Sequence, residues 1–147
     1  MAQALSKVYI HLVFTTKHRQ HFIEESYRLE LQALLVSILS KLGAYTYEIY
    51  ANPDHVHILC SLPRTITIAV LVQKIKAASS GWIKTKGAVD FSWQDGYSCF
   101  SVSSSRKDAV EQYIRNQPLH HQSVSCRDEL LKFYEKYEIE FKPEYMD

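Results

Sequence analysis

The chain has 147 residues, of which 46% are hydrophobic and 22% charged, enough for one ordinary globular domain with a sizeable core. No apolar run approaches the roughly 18 residues of a membrane span, and the N-terminus lacks signal-peptide features. The three cysteines have no C-x-x-C spacing, which argues against a zinc ribbon or a disulfide framework. The net charge of +1 argues at first against a nucleic-acid partner, but residues 1–86 carry +5 and residues 87–147 carry −4, so a basic surface can coexist with a neutral total. We expect a single cytoplasmic domain over residues 1–147.

The first half of the chain is predicted to form a strand, a helix and a hairpin of two strands. Residues 7–16 are rich in β-branched and aromatic side chains, which is typical of a strand. Apolar residues recur at three- and four-residue steps over 24–42, which indicates an amphipathic helix that Gly43 ends. Residues 44–51 alternate as a second strand, and the turn at 52–54 joins it to the third strand.

The second half is predicted to contribute a helix, a strand and two further helices. The helix spans about 67–84, and the strand over 91–102 is interrupted by a turn. A third helix opens at Ser105 and ends before Pro118, since the residue before proline disfavours helical geometry. A last amphipathic helix covers 128–137. The order strand, helix, strand, strand, helix, strand predicts an α+β, ferredoxin-like split βαβ fold, with two helices on one face of an antiparallel sheet and the third helix available to cover the other.

The third strand carries two histidines one residue apart. His55, His57 and Leu59 share one face of an extended chain, while Val56 and Ile58 point to the other. The apolar residues indicate the core side, so both imidazoles point away from it. Two imidazoles that project side by side can supply half of the ligands of a metal site. The alternative is a half-exposed strand that carries two histidines without any function.

The third helix carries Tyr113 and Gln117, four residues apart and therefore expected on one helical face. A glutamine oxygen can complete a His-His-Gln metal site, and a tyrosine beside a metal-bound phosphate can act as a nucleophile. The alternative is an ordinary amphipathic helix with one buried ring. Imidazole ligands admit Zn²⁺, whereas a glutamine oxygen and a phosphate partner suit Mg²⁺ or Mn²⁺.

These motifs occur together in one known family. The chain resembles the single-tyrosine HUH transposases of small bacterial insertion sequences along nearly its whole length. The resemblance rests on His55-Val56-His57, Tyr113-Ile114-Arg115-Asn116-Gln117, the opening Tyr9-Ile10-His11-Leu12-Val13-Phe14-Thr15-Thr16-Lys17, the turn Asn52-Pro53-Asp54 and Trp93-Gln94-Asp95-Gly96-Tyr97.

The resemblance implies an enzyme that cuts and rejoins single-stranded DNA at element ends folded into hairpins. His55, His57 and Gln117 would hold Mg²⁺ or Mn²⁺, and Tyr113 would attack the scissile phosphate to give a 5′-phosphotyrosine and a 3′-hydroxyl. Short members of the family work as homodimers in which each site combines the histidine pair of one chain with the tyrosine helix of the other. Pro118 departs from the polar helix former expected after Gln117, which leaves the orientation of Gln117 open.

Residues outside the motifs receive simpler interpretations. Lys17, Arg19 and Lys74 are the candidates for contacts with DNA phosphates. The sequence assigns no ligand role to His11, His18 and His21, which are interpreted as surface or strand residues, or to His120 and His121, which follow a helix C-terminus where a cationic imidazole is favourable. Two other functions stay open: a non-catalytic module that binds single-stranded nucleic acid on the same fold, and a small structural metal protein.

Overall fold

A computed structural model of the protein describes residues 3–145, so the first two and last two residues of the predicted domain lie outside the described residues. Each strand and helix predicted from the sequence is present, but the strand predicted over 91–102 is shortened to 98–102, and Trp93 makes only an isolated bridge to Thr16. In chain order they are β1 (Tyr9–Thr15), α1 (Arg28–Lys41), β2 (Thr46–Ala51), β3 (His55–Ser61), α2 (Ile68–Lys84), β4 (Ser98–Val102), α3 (Lys107–Arg115), the short α4 (Gln117–His120) and α5 (Cys126–Lys136).

The four strands form one antiparallel sheet in the order β2-β3-β1-β4. This order confirms the ferredoxin-like prediction, because the hairpin strand β3 inserts between β2 and β1. His57 lies opposite Val13 of β1 and Tyr50 of β2, and His55 lies opposite Thr15. The histidine-bearing strand is therefore held on both sides, which fixes the direction of its side chains.

One face of the sheet packs against α1 and α2. Val56 and Ile58 point to this face and lie in one buried cluster with Leu31 and Leu35 of α1 and Ile75 of α2. Complete burial of one such aliphatic side chain contributes about 1.5–3 kcal/mol, so this cluster is the main core. The apolar side chains of β3 thus lie where the alternation predicted.

The opposite face is covered by two helices rather than by the third helix alone. Ile114 of α3 packs with Leu59, while Leu130 of α5 packs with Val13 and Phe100. This face is consequently a second, smaller core. The imidazoles of β3 lie inside it and not on an open surface.

The end of the third helix differs from the prediction. Helix α3 ends at Arg115 with Asn116 as its C-terminal cap, and Pro118 lies in the first turn of α4. Proline is tolerated there because the first-turn N–H groups have no partner within the helix. Tyr113 and Gln117 therefore belong to two consecutive helices and not to one face of a single helix.

Three smaller features complete the description of the fold. Gly43 follows α1 with a φ of +90°, a conformation that glycine adopts without strain, as predicted for a helix stop. Cys60, Cys99 and Cys126 are free thiols. No helix in the described part of the chain is long and apolar enough to cross a membrane.

Candidate functional site

The paired histidines of β3 lie side by side beneath α3 and α5. Their ring centroids are 5.1 Å apart, and the residues are 1% (His55) and 0% (His57) exposed. Period-2 alternation on a strand held on both sides places them on one face. The prediction that they share a face is thus confirmed, but they are much more deeply buried than a half-exposed strand implied.

Each imidazole of the pair has a partner on its Nδ1 side. Nδ1 of His55 lies 2.6 Å from Oδ1 of Asp54, and Nδ1 of His57 lies 2.8 Å from Nε2 of His11. Both rings therefore turn their Nε2 atoms toward the interior of the cluster. The interpretation of His11 as a plain strand residue was incomplete, since this buried side chain orients His57.

A carboxylate from α5 meets these Nε2 atoms. Oε1 of Glu129 lies 2.9 Å from Nε2 of His57, 3.2 Å from Nε2 of His55 and 3.1 Å from Nε2 of His121. Glu129 is 2% exposed, so water does not replace these contacts. Three imidazoles and one carboxylate thus converge on a small buried volume.

The other oxygen of Glu129 holds the remaining predicted site residues. Oε2 accepts hydrogen bonds from the Tyr113 hydroxyl and from Nε2 of Gln117 at 3.0 Å. Oε1 of Gln117 in turn accepts from Nδ2 of Asn52 at 3.1 Å. The structure therefore brings His55, His57, Tyr113 and Gln117 together within one chain, with Glu129 at their centre.

Burial and charge set the protonation of the cluster. Burial lowers the pKa of His57 to about 4. For Glu129, burial acts upward, but the imidazoles of His121, His55 and His57 beside its carboxylate hold its pKa well below the usual range. Burial and the neighbouring carboxylate raise the pKa of Tyr113. The tyrosine is accordingly a protonated phenol that donates to Glu129 at neutral pH.

Two members of the cluster were not predicted from the sequence. His121 lies in the cluster and is not merely a cation at a helix end, because α4 is only one turn long and returns the chain to β3. Glu129 lies three residues after Cys126 and four before Phe133, on the apolar face of α5. A lone acid on an apolar face was the signal available in the sequence.

The predicted DNA-contacting residues do not form one group. Lys17 and Arg19 follow β1, whose last residue pairs with His55. Lys74 lies on α2, which covers the opposite face of the sheet. The role of all three in DNA binding stays a prediction.

A groove leads from the surface to the nucleophile candidate. It has a volume of about 580 Å³, and its lining includes Tyr113 and His11. Arg106 and Lys136 lie along its sides. Two cationic side chains beside a tyrosine make this groove attractive to a phosphate group.

The side chains of the cluster fit a divalent cation. The Nε2 atoms and the carboxylate oxygen of His55, His57, His121 and Glu129 all lie within 4.8 Å of one another. Imidazole nitrogens and carboxylate oxygens are ordinary ligands of divalent metals. Nδ1 contacts of the kind made by His55 and His57 typically orient metal-binding histidines.

The fold and the site define a class of protein: a ferredoxin-like domain with paired histidines and a tyrosine-bearing helix across them. Comparison with known proteins agrees with this class. A sequence model of the family described as "Transposase IS200 like" matches residues 4–117. No curated protein matches the chain. A candidate transposase from Deinococcus radiodurans R1 has a TM-score of 0.62 at 24% identity, covering 80% of this chain and 98% of that one. A REP-associated tyrosine transposase, solved bound to a REP hairpin, has a TM-score of 0.62 at 15% identity, covering 84% of this chain and 74% of that one.

The chain belongs to the IS200-like transposase family. The resemblance to single-tyrosine HUH transposases is thereby confirmed, and membership supports a nucleic-acid-cleaving enzyme of DNA transposition. The match ends at Gln117, so His121 and Glu129 lie beyond the part of the chain that the family model describes.

Proposed function

We propose that the chain, acting as one HUH domain over residues 1–147, cuts and rejoins single-stranded DNA at hairpin-marked ends through a 5′-phosphotyrosine intermediate. The observation that carries this proposal is the position of the Tyr113 hydroxyl in the same buried cluster as His55 and His57. His55, His57 and Gln117 would hold Mg²⁺ or Mn²⁺ during cleavage. A cation held there would polarise the scissile phosphate.

Residues of this chain can supply both the nucleophile and the acceptor of its proton. The Tyr113 oxygen attacks phosphorus, and its proton passes to a neighbouring acceptor. Oε2 of Glu129 already accepts the hydroxyl hydrogen, and Nε2 of His120 lies 3.3 Å from the hydroxyl oxygen. The bond from phosphorus to the 3′ oxygen breaks, and that oxygen takes up a proton, which the acceptor can return, and leaves as a 3′-hydroxyl. Attack by a 3′-hydroxyl on the phosphotyrosine reverses these steps and rejoins DNA without ATP.

The approach of DNA requires movement of the covering helix. The histidine pair, Gln117 and Glu129 are almost completely buried, so a phosphate cannot reach them in this arrangement. The groove lined by Arg106 and Lys136 ends at Tyr113, and α5 forms one of its walls. We propose that the strand follows this groove and that α5 shifts when the strand binds.

The direct test is cleavage of a labelled oligonucleotide that folds into a hairpin with a single-stranded flank. We expect a covalent adduct on a denaturing gel with Mg²⁺ or Mn²⁺ and none with EDTA. A fully paired duplex of the same sequence is the control and should give no adduct. Tight hairpin binding without any adduct would instead indicate the alternative function, a non-catalytic module that binds single-stranded nucleic acid.

We further propose a homodimer with composite sites, as the family resemblance implies. Among the described strands, β4 pairs only with β1, so the outer edge of β4 is available to a second copy. In the described chain Tyr113 lies at its own chain's histidines. Composite sites therefore require two chains to exchange α3, and the connection from β4 to α3, residues 103–106, would be the hinge.

Complementation between two inactive variants tests the composite site. A heterodimer of Tyr113→Phe and His57→Ala chains has one site with both defects and one with neither, if sites are composite. Activity should therefore return in co-expressed, purified heterodimers although each variant is inactive alone. Inactive heterodimers beside active wild-type dimers would show that each site is built from one chain.

A further inference from the structure

The contacts at Oε1 of Glu129 raise the question of which histidine nitrogens carry hydrogens. Nε2 atoms of three histidines surround this one oxygen at 2.9–3.2 Å, and Nε2 of His55 also lies 3.1 Å from Nε2 of His121. A carboxylate oxygen can only accept hydrogen bonds. A neutral imidazole offers one N–H, so its second nitrogen is also an acceptor.

The outward contacts of the rings assign their hydrogens. Nδ1 of His121 lies 2.5 Å from the carbonyl oxygen of Val124, which can only accept, so the hydrogen of this ring is on Nδ1. The carboxylate of Asp54 makes the same assignment for Nδ1 of His55. When both rings are neutral, as metal ligands must be, their Nε2 lone pairs therefore point at each other and at the Glu129 carboxylate.

A metal ion is the alternative to a proton at these nitrogens, because it binds the same lone pairs and holds all of them around one point. Nδ2 of Asn52 can donate a hydrogen bond to Nε2 of His55, at 3.2 Å. It makes no such contact with Nε2 of His57 or of His121. One divalent cation would satisfy all four ligand atoms together.

We propose that His121 and Glu129, together with His55 and His57, form the metal site of the DNA-free protein. In a tetrahedral site with bonds of 2.0–2.1 Å, neighbouring ligand atoms lie about 3.3 Å apart. The separations of 3.1 Å between Nε2 of His55 and His121 and of 2.9–3.2 Å to Glu129 are close to this value. Gln117 supports the site by donating to Glu129.

The ligand set indicates the class of metal. Three imidazoles and one carboxylate favour a transition-metal dication such as Zn²⁺, Co²⁺ or Mn²⁺, whereas Mg²⁺ prefers oxygen ligands and retains water. The biological purpose of this metal site rests on the proposed function. Its existence can be measured without DNA.

Metal titration of the chelator-treated full chain is the first test. We expect one Co²⁺ per chain, with the intense visible absorption of tetrahedral Co²⁺, and competition by Zn²⁺. Glu129→Gln and His121→Asn should each lower the affinity for Zn²⁺ by about 100-fold or more, since even residues that only orient ligands typically contribute 10–100-fold. The matched controls are Glu135→Gln, on an exposed part of the same helix, and His18→Asn, at an exposed histidine; both should bind like the wild type.

A measurement on the wild-type chain covers the case in which a variant fails to fold. Nitrogen chemical shifts of the histidine rings, recorded with and without Zn²⁺, should identify three rings that coordinate through Nε2: His55, His57 and His121. Coordination by only two rings, or unchanged Zn²⁺ affinity in folded Glu129→Gln, would overturn the assignment. Metal binding as expected without DNA cleavage would overturn the proposed function alone.

Discussion

Replacement of Tyr113 by phenylalanine should lower formation of the covalent DNA adduct by at least about 1,000-fold, as expected when a nucleophile is removed. The substitution deletes only the hydroxyl group. The ring keeps its packing, with centroids 5.9 Å from His57 and 5.7 Å from Phe133. Oε2 of Glu129 keeps its hydrogen bond from Gln117, so no buried carboxylate oxygen loses every partner.

The measurement is the covalent adduct on a denaturing gel, with hairpin affinity measured on the same protein. Affinity should stay within about twofold of the wild type, as is usual where no buried feature is lost. Tyr134→Phe is the matched control, because its hydroxyl contacts Ser98 outside the cluster. An adduct that persists in Tyr113→Phe would assign the nucleophile to another residue.

Replacement of His57 by alanine should lower the affinity for Mn²⁺ by at least about 100-fold and abolish cleavage, because a metal ligand is removed. The variant also leaves His11 and Glu129 each without one buried partner. We expect a loss of about 1–3 kcal/mol in the free energy of unfolding, measured with urea.

Hairpin binding by the His57 variant should survive and fall steeply with salt, because phosphate contacts from Lys and Arg carry most of it. His18→Ala, at an exposed histidine, is the control and should leave both Mn²⁺ affinity and cleavage unchanged. A folded His57→Ala protein that binds Mn²⁺ as tightly as the wild type would contradict the site assignment.

The sequence by itself determined the order of the elements, the face of β3 that carries the histidines, and the tyrosine helix. These features are local: alternation defines the two faces of a strand, and three- and four-residue steps define the face of a helix. Val56 and Ile58 identified the core side for this reason. The family resemblance then supplied what spacing could not, namely the expectation that Tyr113 belongs with the histidine pair.

Only the tertiary structure decided what covers that pair. Glu129 is separated from His57 by 72 residues, and His121 from His55 by 66, and no local periodicity predicts which face of the sheet a helix will cover. Helix α5 takes its place because Leu130 packs against Val13 and Phe100, and this packing brings Glu129 onto the imidazoles. A periodic pattern reveals that a helix has an apolar face, whereas the partner of that face is set by the shape of the whole sheet.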